Sequence, residues 1–147
     1  MLKLSSSSLQ NLEKIPSQYT CDGLNINPEL IFEGVPEDCQ SLVLICDDLN
    51  SAGKNWLHWF LWNIDPSISS IPENSEPINA IVGVNDFGNV GYGGPCPPTG
   101  KHTYRFLLYA LNTKLSLPRN ATRYDVERLI PKYLIESASL FVTYERS

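Results

Sequence analysis

Turn-forming residues interrupt this chain at short intervals, and this spacing restricts the folds that it can adopt. Nine glycines and eleven prolines lie among its 147 residues, and the apolar stretches between them are short. Short apolar segments that are bounded by turn residues are typical of β-strands. The pattern therefore predicts a domain built mainly of strands.

Three apolar segments are the strongest strand candidates. Ser41 to Cys46 is a continuous apolar run, as expected for a strand that is buried on both faces. Trp56 to Ile64 and Tyr104 to Leu111 are longer and rich in aromatic residues. We expect these three segments to form the middle of one sheet. The alternation from Ala138 to Tyr144 predicts a final strand.

One short helix is predicted near the C-terminus. Thr122 and Asp125 resemble a capping box in which Asp replaces Glu. The apolar residues that follow recur at helical spacing: Val126, Leu129, Ile130 and Tyr133. Pro131 should end or kink this helix.

Length and composition predict one globular domain that spans residues 1–147. The chain is long enough to bury a core and short for two domains. Hydrophobic residues make up 42% of it, and charges of both signs are spread along it. This composition argues against disorder and against a coiled coil.

Charge and hydropathy exclude two classes of partner. The net charge is -5 and there is no Lys/Arg cluster, so we expect no nucleic-acid partner. No apolar run reaches the roughly 20 residues of a transmembrane helix. The N-terminal segment MLKLSSSSLQNLEK also lacks the apolar core of a secretory signal. We therefore expect no transmembrane segment and a location in the cytoplasm.

The four cysteines are Cys21, Cys39, Cys46 and Cys96, and no two form a C-x-x-C pair. A domain of this size folds without disulfides, so reduced thiols are expected for all four. Cys46 lies within the apolar run SLVLIC, where a free thiol behaves as a small hydrophobic residue.

The chain contains only two histidines, and each lies at the start of a predicted central strand. Because alternate side chains share a face of a strand, His102 and Tyr104 should share one face. The same rule places four residues of the other strand on one face: Trp56, His58, Phe60 and Trp62. If the strands are neighbours, the two imidazoles converge, and Asp47-Asp48 at the end of a third strand supplies a carboxylate. The alternative is that each histidine is an ordinary hydrogen-bonded residue near a sheet edge.

The segment NDFGNVGYGGPCPPTG lies between the two histidines and is too rich in glycine and proline for a helix or an interior strand. We expect a rigid loop whose backbone N–H groups can approach an anion closely. A purely structural turn is the alternative.

Several segments resemble the phosphatidylethanolamine-binding protein family, in its bacterial and archaeal, Raf kinase inhibitor-like branch. They are YTCDGLNINPEL, SLVLICDD, WLHWFLWNI and GNVGYGGPCPPTGKHTYRFLLYAL. The resemblance covers nearly the whole chain. It implies an all-β, Greek-key β-sandwich with a large central antiparallel sheet, one short C-terminal helix, and a pocket for phosphate-like anions at one end.

The resemblance also assigns residues to this pocket. The family's pocket aspartate corresponds to Asp48, its two histidines to His58 and His102, and its motif tyrosine to Tyr104. The pocket-forming loop corresponds to Gly94, Pro95 and Cys96.

Three departures from the family pattern affect the expected site. The family's D-P-D-A-P is Asp48-Leu49-Asn50-Ser51-Ala52 here, so an acid and both prolines are lost and a cis peptide at that turn is in doubt. Thr103 replaces an arginine. The C-terminal extension of eukaryotic members is absent, so we expect a more open pocket or one that a second subunit covers.

The function predicted from these residues is binding of a small phosphate-like anion or a phospholipid headgroup. His58 and His102 would donate hydrogen bonds, amides of the Gly-rich loop would complete the coordination, and Trp56 and Tyr104 would form walls. We expect no enzyme activity, no metal and no other cofactor, and we expect a homodimer.

Two alternatives stay open. One is inhibition of a kinase or a serine protease through protein contacts, as family members are described to do. The other is catalysis, either as a hydrolase with Cys96, His102 and Asp48 as nucleophile, base and orienting acid, or with a metal on His58, His102 and Asp48.

Overall fold

Two β-sheets and one helix form three layers in the computed structural model, which describes residues 1–146. The strands are β1 (Lys3–Ser5), β2 (Glu13–Lys14), β3 (Leu30–Glu33), β4 (Ser41–Asp48), β5 (Trp56–Ile64), β6 (Ser70–Ile71), β7 (Ile81–Val82), β8 (His102–Leu111) and β9 (Leu134–Tyr144). A 3₁₀ turn covers Ser17–Tyr19, and helix α1 covers Arg123–Tyr133. The predicted fold, mostly strands with one short C-terminal helix, is confirmed.

The larger sheet has the strand order β2-β9-β8-β4-β5-β7, and the smaller one has the order β1-β3-β6. All pairings are antiparallel except that of β2 with β9 at one edge. Strand β4 pairs with β5 on one side and with β8 on the other. The three predicted central strands are therefore neighbours, and their N- or C-terminal ends meet at one end of the sheet.

Strand β4 is covered on both faces, which explains its continuous apolar sequence. All eight of its residues are buried. Leu42 and Leu44 contact the core between the two sheets, whereas Val43 and Ile45 contact the core beneath α1. Because side chains alternate between the two faces of a strand, β4 contributes residues to two separate cores.

Helix α1 begins as predicted. Thr122 and Asp125 form the reciprocal capping box, and Val126 and Ile130 are buried against the larger sheet. Pro131 lies inside the helix, which ends two residues later. Proline has no N–H to donate to the preceding turn and therefore weakens the helix at this point. The helix ends at Tyr133, and β9 begins at the next residue. Within residues 1–146, no helix is long and apolar enough to cross a membrane.

The face predicted for four β5 residues is wrong in part, because β5 contains two irregularities in its pairing with β4. Cys46 pairs with Trp59 and Asp47 with Leu57, so His58 is the extra residue of a β-bulge. The bulge reverses the alternation. Phe60 and Trp62 lie in the core beneath α1, with Leu57, whereas His58 contacts Tyr104, a residue of the core between the sheets.

Candidate functional site

A pocket of about 340 Å³ lies where β4 ends and where β5 and β8 begin. Its lining residues are Asp48, Ser51, Ala52, Trp56, His58, Phe87, Cys96, Pro97, Pro98, His102 and Tyr104. Five of the seven predicted ligand-binding residues are in this set. The antiparallel order β8-β4-β5 brings them together, because the C-terminus of β4 lies between the N-termini of its two neighbours.

Asp48 and His102 form a hydrogen-bonded pair at the floor of the pocket. The His102 Nδ1 atom lies 2.7 Å from the Asp48 Oδ2 atom. The other carboxylate oxygen accepts a hydrogen bond from the Asn50 amide at 2.8 Å, and the Asn50 side chain accepts one from the Thr103 amide at 2.6 Å. Asn50 therefore joins the turn after β4 to the start of β8. No peptide bond in residues 1–146 is cis.

His58 is more deeply buried, with only 2% of its surface exposed. Its Nδ1 atom lies 2.6 Å from the Gly93 carbonyl oxygen. Its ring makes edge contacts with the rings of Tyr104 and Phe87, at centroid distances of 5.2 and 5.4 Å. Burial lowers the pKa of His58, and the Gly93 carbonyl and the Asp48 carboxylate oppose this shift.

Tyr104 lies beneath both imidazoles. Its ring is stacked on that of His102 at a centroid distance of 6.3 Å, and the residue is fully buried. Burial raises the pKa of Tyr104, so the phenol keeps its proton. Its hydroxyl is one of the buried polar groups that find no hydrogen-bond partner in the described part of the chain.

Aromatic and proline side chains form the upper wall. Trp56 and Phe87 meet edge to face at a centroid distance of 5.6 Å, and Phe87 is 44% exposed. Phe87 is a pocket residue that the sequence interpretation missed, as it also missed Pro97 and Pro98. An aromatic residue within a Gly-rich loop, with no strand to bury it, was the available signal.

Gly94 and Pro95, two further predicted ligand residues, lie behind the wall rather than on it. The Gly94 amide donates to Asn25 Oδ1 at 2.8 Å, and a Cβ atom at Gly94 would overlap the backbone of Tyr19. The Pro95 carbonyl accepts from the Cys21 amide at 3.1 Å. The neighbouring Gly93 amide donates to the His58 carbonyl. The amides of Gly93 and Gly94 are thus used to shape the loop and are not free for an anion.

Cys96 is not a free thiol, which corrects the prediction that all four cysteines are reduced. It forms a disulfide with Cys21, 75 residues away in sequence. A disulfide sulfur cannot act as a thiolate nucleophile, so the hydrolase alternative based on Cys96 is wrong for this form of the protein. Cys39 and Cys46 are free and buried, as expected for Cys46, and burial raises the pKa of the Cys46 thiol well above its usual range.

The donor set gives the metal alternative no support. Within residues 1–146, no group of three or more His, Cys, Asp or Glu side chains is arranged to hold a metal ion. Asp48 and His102 instead bond to each other, and the Nδ1 atom of His58 is bonded to a carbonyl.

Known proteins are similar to this chain in sequence and in fold. Residues 5–145 match the model of a family described as phosphatidylethanolamine-binding protein. A UPF0098 protein of Methanothermobacter thermautotrophicus is 41% identical over 150 residues, which cover 99% of both chains. A UPF0098 protein of Pyrococcus abyssi is 43% identical, over 96% of this chain and 84% of its own.

Two crystal structures are also similar. A putative phosphatidylethanolamine-binding protein homologue from Chlamydia trachomatis has a TM-score of 0.93 and 34% identity, over 99% of this chain and 98% of its own. YbcL of E. coli, described as a new member of the mammalian PEBP family, has a TM-score of 0.92 and 29% identity, over 99% of both chains. Sequence and structure agree, and the chain belongs to the phosphatidylethanolamine-binding protein family.

Proposed function

We propose that this protein binds a small phosphate-like anion in the pocket between His58 and His102, without catalysing a reaction. The observation that carries the proposal is the convergence of both histidines of the chain, with Asp48 and the buried Tyr104, in one pocket. Each imidazole uses its Nδ1 atom within the protein, so the Nε2 atom is the one left for a ligand.

The size and lining of the pocket fit a headgroup better than acyl chains. Its volume of about 340 Å³ is near the lower end for small-molecule sites. The polar groups lie at the floor, and Trp56, Phe87 and the prolines lie around them. The ligand would be inorganic phosphate, a phosphate ester or the phosphate of a phospholipid headgroup.

A binding role, rather than an enzymatic one, agrees with the chemistry of the site. The disulfide removes the thiol of Cys96. Asp48 is satisfied by His102 and Asn50, and a carboxylate that is held in this way orients an imidazole. Inhibition of a kinase or a serine protease stays a prediction.

Sulfate is the probe for the anion site. Replacing His58 or His102 with alanine removes one charge-assisted hydrogen bond to the anion, which is worth roughly 1.5 to 3 kcal/mol. We therefore expect each variant to bind sulfate about ten- to a hundredfold more weakly, as measured by calorimetry near pH 6.

The matched control is Arg128→Ala, which removes a positive charge from an exposed ion pair on α1. It should bind sulfate as the wild type does. If both histidine variants also bind like the wild type, the pocket is not an imidazole-based anion site.

The homodimer is a second proposal about this end of the molecule. Exposed apolar side chains lie around the loop that carries Phe87. Val84 and Val90, which form an isolated β-bridge, are 57% and 68% exposed. Apolar surface of this kind is common at subunit interfaces. We expect light scattering to give twice the mass of one chain, and we expect Val90→Glu to yield monomers. A monomeric mass for the wild type at high concentration contradicts the dimer.

The location in the cytoplasm also stays a prediction. The disulfide argues against it, because disulfides persist mainly in oxidising compartments. The redox state of the cysteines in protein isolated under thiol-blocking conditions tests this point.

A further inference from the structure

The two nitrogen atoms of His58 have different roles. A backbone carbonyl only accepts hydrogen bonds, so the contact with the Gly93 oxygen requires the proton on Nδ1. In the neutral ring, Nε2 then carries a lone pair and can only accept. A fully ionised oxyanion such as sulfate offers only acceptors, so neutral His58 cannot donate a hydrogen bond to it from Nε2.

His102 is held differently. Its Nδ1 atom faces the carboxylate of Asp48 instead of a carbonyl. A positive charge on His102 would therefore have a negative partner within the protein. The direct partner of His58 is a neutral group, so a positive charge on its ring depends far more on what else the pocket contains.

The other charged and titratable groups near His58 are few. From β4, Asp48 and Asp47 act on it across space, and both favour the protonated ring. Asp47, however, is paired with Arg105 and Arg123 on the other side of the strand. Their positive charges oppose its effect on His58.

The remaining surroundings of the ring are uncharged. From β8 it meets the phenol ring of Tyr104, and from the Gly-rich loop it meets the ring of Phe87 and the carbonyls of Gly93 and Gly94. Burial in these surroundings is the largest influence on the ring, and it lowers the pKa of His58. The neutral, Nδ1-protonated ring is thus the resting form above about pH 6.5.

We propose that the pocket takes up an oxyanion together with a proton, and that Nε2 of His58 receives this proton. The inference rests on the proposed function and adds its proton requirement. The proton comes from the solvent or buffer: an N–H bond forms at Nε2 as the bond between the proton and its water or buffer donor breaks. The imidazolium then donates from both nitrogens, to Gly93 and to the anion.

The sign of the pH dependence follows from this coupling. The anion stabilises the charged ring, so binding raises the pKa of His58 from its lowered value in the free protein. Between the free and the bound pKa, affinity for sulfate should increase about tenfold for each unit that the pH falls, from His58 alone. Sulfate itself does not titrate near neutral pH, so the change belongs to the protein.

Nitrogen-15 NMR of labelled histidine tests the proposal in the wild-type protein. Because the chain has only two histidines, the nitrogen-15 signals of the two rings can be distinguished. At pH 7.5 without sulfate, we expect Nε2 of His58 to show the shift of an unprotonated nitrogen, and with saturating sulfate that of a protonated one. If His58 stays neutral in the saturated complex, the inference is wrong although sulfate binds. If calorimetry detects no binding, the proposed function itself fails.

Variants give an independent readout. Calorimetry in two buffers of different ionisation enthalpy counts the protons that are taken up with sulfate. His58→Gln keeps a neutral donor but cannot be protonated, and we expect its count to be lower than that of the wild type by about one at a pH between the two pKa values. His102→Gln is the matched control and should keep the proton of His58. Equal counts for the wild type and His58→Gln overturn the inference.

Discussion

Replacing Cys21 and Cys96 with serine should lower the free energy of unfolding by about 4 kcal/mol. The disulfide closes a loop between residues that are 75 positions apart, and in the chain-entropy description a long loop restricts the unfolded chain strongly. Denaturation by guanidinium, followed by tryptophan fluorescence, gives the difference between the variant and the wild type.

Two controls make this result specific. Cys39→Ser replaces a free, buried cysteine whose thiol donates to the Ser41 carbonyl, and we expect a much smaller loss. Thiol titration of the denatured, unreduced wild type should count two thiols per chain. A count of four shows that the cysteines are reduced, and an unchanged stability in the double variant shows that the cross-link contributes nothing.

The sequence predicted the central strands because both cores impose their pattern on them. Trp56–Ile64 has the predicted bounds, whereas the strand predicted from Ser41 continues to Asp48 and the one predicted from Tyr104 begins at His102. The last strand begins earlier than expected, at Leu134. In β4 and β8 the boundaries moved where polar residues continue the backbone pairing, since hydrogen bonds of the sheet do not depend on side-chain hydropathy.

The bulge at His58 could not be predicted from alternation. Hydropathy does not distinguish the residues of WLHWFLWNI, since nearly all of them are apolar and buried on one face or the other. The pairing partner decides the register, and the partner is 8 or more residues away in sequence. The disulfide was missed for the same reason, because the fold alone brings Cys21 to Cys96.

The members of the site were predicted better than their roles. The resemblance placed Asp48, His58 and His102 together, and the structure does so. It gave no information on what each Nδ1 atom contacts. The bond to Gly93 depends on the path of the Gly-rich loop. Glycine and proline content predicts a loop with a defined conformation, but it does not predict which backbone carbonyl of the loop faces the His58 ring.

Asp47 and Asp48, which the sequence presents as one acidic segment, have separate roles because they point to opposite faces of β4. Asp48 lies in the pocket, whereas Asp47 is fully buried on the side of α1. There the Asp47 carboxylate accepts hydrogen bonds from Arg105 at 2.9 and 3.1 Å and from Arg123 at 2.9 Å. Arg123 also pairs with Glu127 and donates to the Asn55 carbonyl. This network attaches α1 to the strand that carries the pocket aspartate.

Asp47→Asn should therefore destabilise the fold by about 3 kcal/mol, because it keeps the shape of the side chain but leaves the largely buried Arg123 with less compensating charge. Glu127 still pairs with Arg123, which places the expected loss at the lower end of the range for a broken buried ion pair. The measurement is chemical denaturation beside Arg128→Ala, which breaks an exposed pair on the same helix and should cost less than about 1 kcal/mol. Because Asp47 does not line the pocket, the folded Asp47→Asn protein should bind sulfate within about threefold of the wild type. If Asp47→Asn and Arg128→Ala are equally stable, the ion pairs of Asp47 do not stabilise the fold.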